Sequence, residues 1–192
     1  MKIFSEDHYE KVNFRGLDLK NKSFLGTSFF ECTFIRSSLQ YTNFLDCEFE
    51  SCRFQECNLS LARLCNTKII GTEFCDSKLL GINWGSVGIV ITASYDNCLL
   101  DNCSFSDMNL TKVTFSSSSL IEASFRHNKL SSVIFDNCDL SKCQFHQNDL
   151  TRADFSTSRN YYMNAETNKL NKTVFSLPEA VSLLANLDIV LK

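Results

Sequence analysis

Proline is nearly missing from this chain: Pro178 is the only one in 192 residues. Proline removes a backbone donor from a sheet ladder, so its absence before that point favours long, unbroken ladders. Glycine is scarce as well, with six, three of them between Gly81 and Gly88. Long apolar runs are absent. The longest, Ile89 to Ala93 with one threonine, is far too short to span a membrane, and no apolar stretch follows Lys2 as it would in a signal peptide. Strong net charge is lacking too. It is −3 at pH 7, whereas a general nucleic-acid binder is normally basic. These absences point to a cytoplasmic protein without membrane contact and without direct nucleic-acid contact.

Reactive constellations are equally scarce. The three histidines are His8, His127 and His146, with no third ligand or carboxylate assigned beside the last two. Solvated histidines are the expectation. No nucleophile–base set, glycine-rich phosphate loop or metal spacing stands out. Cys-x-x-Cys spacing is absent, which argues against structural zinc. No enzyme activity and no cofactor are expected.

What the chain does have is a period of five. Leu100, Phe105, Leu110, Phe115, Leu120, Phe125, Leu130, Phe135, Leu140, Phe145, Leu150 and Phe155 alternate strictly. The same spacing runs from Phe4 through Phe14, Leu19, Phe34, Leu39, Phe54 and Leu59 to Trp84, one residue out of phase. Smaller residues such as Cys98, Cys103, Val113 and Ala123 sit two before each large one. Five fits neither helix nor strand and implies a repeat architecture. If four units make one turn, residues twenty apart stack. One column then reads Leu19, Leu39, Leu59, Leu79, Leu100, Leu120, Leu140, and another Phe14, Phe34, Phe54, Phe74, Tyr95, Phe115, Phe135, Phe155. Like stacks on like, as a four-sided solenoid requires.

Units such as Cys103-Ser-Phe-Ser-Asp107, Ala123-Ser-Phe-Arg-His127 and Ala153-Asp-Phe-Ser-Thr157 resemble those of the pentapeptide-repeat family. The resemblance covers roughly residues 4 to 175. It implies an all-β solenoid, a right-handed quadrilateral β-helix. The residues themselves add a C-terminal α-helix. At the strand spacing of a sheet, roughly eight coils make a rod about 40 Å long.

Ten cysteines in a short chain would ordinarily suggest disulfides. Eight of them occupy the small inward position, where cysteine acts as a small hydrophobe. Only Cys32 and Cys52 stack on adjacent rungs of one column, so reduced thiols are expected.

The expected organisation is 1–84 as N-terminal coils, 85–94 as a one-residue phase break or hinge, 95–175 as C-terminal coils and 176–192 as a capping or dimerisation tail. Lys22 falls on an inward site, where distortion or an escaping side chain is expected. Ser176-Leu-Pro-Glu179 reads as a helix start with Ser176 as N-cap and Glu179 completing a capping box. Ala180, Leu183, Leu184 and Leu187 follow at helical spacing, and Ile189 and Val190 add apolar surface. A cap and a symmetric homodimer are both readings of this tail, and it resembles the dimerising element of the quinolone-resistance (Qnr) group.

Outward charge is the readable functional feature. The side built on the phenylalanine column carries Arg15, Arg36 and Arg53 and then Glu56, Glu73, Asp76, Asp96, Asp136 and Asp154. A carboxylate stripe on a rod of duplex-like width has two readings, a face that occupies a basic DNA-binding saddle as phosphates do and a solvated face that aids solubility. With the Qnr-like tail the first implies a bacterial type II topoisomerase, gyrase or topoisomerase IV, as partner, protected from quinolone-type inhibitors or modulated. The other reading is a protein-interaction scaffold or bacterial effector using the apolar row Tyr41, Leu61, Leu80, Leu99 and Ile121.

Overall fold

The computed structural model describes residues 4, 6–88 and 91–184. They wind as an all-β parallel solenoid of about seven turns. Each strand pairs in register with the strand one coil later, twenty residues on: Phe14 with Phe34, Phe34 with Phe54, Phe54 with Phe74. Four sides follow, numbered 1 to 4 from the columns that start at Tyr9, Phe14, Leu19 and Phe24.

Side 2 is a seven-stranded parallel sheet running from Asn13–Arg15 to Phe135–Asp136. Side 1 is a four-stranded sheet from His8–Glu10 to Lys68–Ile70, continued by single bridges through Asn109, Lys129, Asp149 and Lys169. Side 3 is held by bridges alone, from Asp18 to Arg159. Side 4 carries two three-stranded sheets, one ending at Arg63–Cys65 and one starting at Ser104–Ser106.

The central residue decides how its side ends. After a leucine the chain reverses through a 4→1 bond: Thr42 N–H to the Leu39 carbonyl at 3.2 Å, Ala62 to Leu59 at 2.9 Å, Ala123 to Leu120 at 3.0 Å, Ala153 to Leu150 at 2.9 Å. The third residues of these turns, Tyr41, Leu61, Glu122 and Arg152, have φ of 57°, 59°, 58° and 61°. That combination is a type II turn. Most phenylalanine-centred sides make short strands instead, as expected of an aromatic on a half-buried pleated surface. Leu64, which also sits in a strand, and Phe155, which carries a 4→1 bond, are exceptions.

Left-handed corners recur throughout, and among the described residues 24 of those holding them are not glycine. The strain is ordinarily about 1–2 kcal/mol each. It persists because most corners are fixed from the next coil. Glu31, Arg36 and Arg152 donate their N–H groups to the carbonyls of Glu50, Gln55 and Asn171, each at 2.9 Å.

Inside the rod, rings of one column lie face to face and rings of different columns meet edge-on. Phe34 and Phe54 stack at 4.6 Å and 5°, Phe105 and Phe125 at 4.7 Å and 2°. Phe115 meets Phe125 at 6.1 Å and 89°. The edge-on meetings suit the ring quadrupole, and the parallel stacks add dispersion contact.

The small inward position has a second task that the sequence reading missed. Its side chain donates to the central carbonyl of the neighbouring side, 23 residues back. Cys52 Sγ reaches the Phe29 carbonyl at 3.3 Å, Thr42 Oγ1 that of Leu19 at 2.8 Å, and Cys103 Sγ that of Leu79, 24 residues back across the break, at 3.0 Å. Cysteine is therefore a weak donor here as well as a small hydrophobe. All ten cysteines are free thiols. On side 3 the column reads Ser37, Cys57, Ser77, Cys98, Ser118, Cys138, Ser158. Each serine from Ser77 on accepts the backbone N–H of the cysteine one coil earlier, at 3.0 Å.

Across the phase break the offset becomes 21: Phe74 pairs with Tyr95, Lys78 with Leu99, Asn83 with Ser104. Side 2 passes through without interruption. Side 4 absorbs the change in a 3-10 turn, Trp84–Val87. Trp84 is fully buried there, parallel to Phe105 at 6.0 Å and edge-on to Tyr95 at 5.3 Å.

The ends differ from the middle. Lys22 is exposed, and Phe14 and Phe24 are only partly buried. At the far end Asn160 is exposed while Tyr161 and Met163 turn inward. Phe175 closes the column at 5.7 Å from Phe155. A single α-turn, Leu177–Ala180, and a 3-10 turn, Val181–Leu184, follow. The expected capping box is not formed. Ser176 makes no side-chain cap bond, and the Glu179 carboxylate instead accepts the Asn160 N–H at 2.9 Å. Tyr161 Oη accepts the Ser176 N–H at 3.1 Å, and Ser182 Oγ donates to the Tyr161 carbonyl at 2.9 Å. These bonds fasten the turns over the open end of the rod.

Candidate interaction surfaces

Among the described residues, no cluster of three or more His, Cys, Asp or Glu side chains could hold a metal ion, and no helix is long and apolar enough to cross a membrane. His127 lies 3.3 Å from Asp107 and also bonds Gln147, with the His146 ring 6.3 Å away, all on the exposed rim. The interior is filled by stacked side chains. The surfaces that remain are the four long sides and their corners.

Side 2 brings the six expected carboxylates onto one sheet and its corner, but in three different states. Arg36 grips Glu56 through two bonds of 2.7 and 3.3 Å and holds its carboxyl below the ordinary value. Arg53 reaches Glu73 at 2.7 Å. Asp76, Asp136 and Asp154 accept neutral donors: Asn97 Nδ2 at 2.7 Å, Thr157 Oγ1 at 3.0 Å and the Ser156 N–H at 2.8 Å. Asp96 is exposed on the strand Ala93–Asp96. The acidic character of side 2 is thus concentrated beyond Arg53, where Asp96 and Asp136 stand two coils apart with Ser116 between them.

The arginine pairs were readable. Arg36 with Glu56, Arg53 with Glu73, Glu122 with Lys142, Asp139 with Arg159 and Asp149 with Lys169 are all ion pairs twenty residues apart. The offset that aligns the leucine column also aligns these charges.

The apolar row divides. Tyr41 and Leu61 stand out from the corner between sides 3 and 4, 57% and 45% exposed, whereas Leu80 and Ile121 are half-buried and Leu99 lies on the side 3 ladder. Tyr41 and Leu61 form one wall of an open groove of about 780 Å³ on side 4, over Asn43, Arg63 and Asn83. Gly81 continues the corner at φ +66°. A Cβ there would lie 2.7 Å from Leu61 Cδ2, so the glycine leaves room for Leu61 to lean over it.

Of the residues expected to dimerise, Leu183 packs partly against the end of the core and Leu184 is exposed. Leu187, Ile189 and Val190 lie outside the described residues.

Known proteins share the fold. The family model for pentapeptide repeats matches in eight copies over residues 42–81, 96–126 and 118–156, more than half of the chain. No curated relative matches the sequence. Among solved structures, a trypsin-treated form of QnrB1, a plasmid-mediated fluoroquinolone resistance protein, aligns with a TM-score of 0.61 at 17% identity, covering 96% of this chain and 100% of that one. HetL, a pentapeptide repeat protein involved in heterocyst differentiation regulation in the cyanobacterium Nostoc, aligns with a TM-score of 0.51 at 15% identity over 90% of each chain. With its twenty-residue coils, its central leucines and phenylalanines and these matches, the chain belongs to the pentapeptide repeat family.

Proposed function

We propose that this protein is a non-catalytic, cytoplasmic binding protein that docks on a bacterial type II topoisomerase and protects it from quinolone-type inhibitors or modulates it. The observation that carries the reading is the second half of side 2. Asp96, Asp136 and Asp154 lie on one continuous side that bears no cation of its own beyond Arg53. Carboxylates spaced along one side oppose the cations of a DNA-binding saddle as phosphates do. The fold shared with a fluoroquinolone resistance protein agrees with the reading. Its tail makes a homodimer the accompanying proposal, with Leu177, Val181 and Leu184 exposed at the end of the rod.

Gyrase supercoiling in the presence of a fluoroquinolone tests it. Wild-type protein restores supercoiling, and a variant with Asp96→Asn, Asp136→Asn and Asp154→Asn does not. Failure of the wild type to alter either supercoiling or cleavage overturns the reading.

The side 4 groove favours a second reading, a scaffold for another protein. One wall is apolar, formed by Tyr41 and Leu61, the rest is largely polar, and Arg63 on its floor forms no ion pair among the described residues. Leu61→Asp combined with Arg63→Glu separates the two readings, because it abolishes scaffold binding and leaves topoisomerase protection unchanged.

A further inference from the structure

The net charge of the chain hides a segregation that only the coiling exposes. Between residues 91 and 184 the sequence has eight lysines and arginines. Five of them, Lys112, Lys129, Arg152, Lys169 and Lys172, fall on side 1 or its following corner, against one carboxylate, Asp149. The bridge column stacks Asn109, Lys129, Asp149 and Lys169, and the corner column stacks Ser132, Arg152 and Lys172 through successive coils.

Pairing accentuates the imbalance. The two cations of side 3 in this half are neutralised, Lys142 by Glu122 at 2.8 Å and Arg159 by Asp139 at 3.2 Å. On side 1 only Lys169 is paired, with Asp149 at 3.1 Å. Among the described residues Lys112, Lys129, Arg152 and Lys172 form no ion pair, and all four are exposed. At the rung spacing of a sheet they occupy about 15 Å of the rod.

We infer that side 1 of the C-terminal half is a second docking surface, which takes the sugar–phosphate backbone of a nucleic-acid duplex without reading its sequence. Between the cations stand small polar residues, Thr111, Ser131 and Asn171. Cations interleaved with hydroxyls and amides are the groups that contact phosphate and sugar. Duplex DNA presents a charge every ~1.7 Å of axis, so a straight rod lies against several phosphates at once. This half of side 1 exposes no aromatic residue for stacking single-stranded bases. It also lacks the apolar centre of a protein interface. The surface shares an edge with side 2, where Arg152 stands two residues before Asp154 and Lys112 lines a shallow groove with Glu73.

Binding of a labelled duplex of about 20 base pairs and arbitrary sequence, followed by fluorescence anisotropy from about 50 to 200 mM salt, tests the inference. Both a DNA and an RNA duplex are used, and binding of either supports it. One variant carries Lys129→Glu, Arg152→Glu and Lys172→Glu. A control carries Arg15→Glu, Lys22→Glu and Lys78→Glu, the same charge change on other sides. Wild-type protein is expected to bind with a log–log salt slope of about −4, and the side 1 variant to lose about 3 of that slope and ~100-fold in affinity at low salt. The control keeps its slope and stays within about threefold of wild type. Circular dichroism shows that each variant is folded. Absence of wild-type binding at low salt overturns the inference. So does equal loss in both variants, or binding to anionic vesicles alone. Charge-dependent self-association without duplex binding overturns it as well.

Discussion

Asn148 accepts the backbone N–H of Asn128 through Oδ1 at 3.0 Å and donates through Nδ2 to the Phe125 carbonyl at 3.0 Å. Asn128 does the same for Met108 and Phe105 one coil earlier, and Asn168 for Asn148 and Phe145 one coil later. Three buried amides thus clip four successive coils together, each with donor and acceptor satisfied. Asn148→Ala strands one buried N–H and one carbonyl. At ~1–3 kcal/mol per orphaned group, the expected loss is about 2–4 kcal/mol. Urea denaturation measures it, and Ser118→Ala, which orphans the Cys98 N–H, is expected to cost about half as much.

The thiols give a pH signature. Burial pushes Cys52, Cys98 and Cys103 up to about 12 and Cys57 and Cys138 up to about 11, from an ordinary value of 9.0. The unfolded chain therefore ionises first. Thiol-linked stability is full below pH 9 and declines as pH rises from there through 11 and 12. Thermal unfolding between pH 8 and 11 checks the direction. In the native state a thiol reagent reacts promptly only with the half-buried Cys65 and Cys75, and the remaining cysteines react after denaturation.

Two glycine corners separate strain from crowding. Gly16 and Gly81 both have positive φ, +63° and +66°, but nothing lies within 4 Å of a Cβ at Gly16. Gly16→Ala is expected to cost about 1 kcal/mol, the left-handed penalty alone. Gly81→Ala adds the clash with Leu61, whose exposed end can swing aside, and is expected to cost about 1–2 kcal/mol. Melting temperatures of the two variants rank them.

The tail is tested by mass. Light scattering on the full chain is expected to give a dimer, and Leu184→Asp or removal of residues 185–192 a monomer of unchanged circular dichroism. A full chain that is monomeric at every concentration rejects the dimer.

Much of this fold is written plainly in the chain, because a residue's role recurs every five positions and its neighbour every twenty. The leucine and phenylalanine columns and the one-residue slip before Tyr95 can be read without coordinates. The division of labour at the small inward site cannot, because hydrophobicity alone makes Cys52 and Thr42 unlike, although both serve as donors to a carbonyl. The state of the carboxylates was accessible but needed the offset applied to charges. Glu56 and Glu73 look like members of one stripe until Arg36 and Arg53 are placed one coil beneath them. Asn160 falls where the period would place a leucine, yet it is exposed and Tyr161 fills the core one residue later, so only packing reveals it.

The non-glycine corners set how this molecule can change. Because the corners at Glu31, Arg36 and Arg152 are fixed through their backbone N–H groups, their outward side chains, the Arg36 pair with Glu56 included, add to the fold only at the surface. Each outward column is then a blank scale with divisions about 4.8 Å apart, on which charges and apolar groups can be rewritten without disturbing what lies beneath. Recognition by such a rod selects partners by the spacing of their groups along a line, as a ruler does, and a single substitution moves one mark without bending the rule.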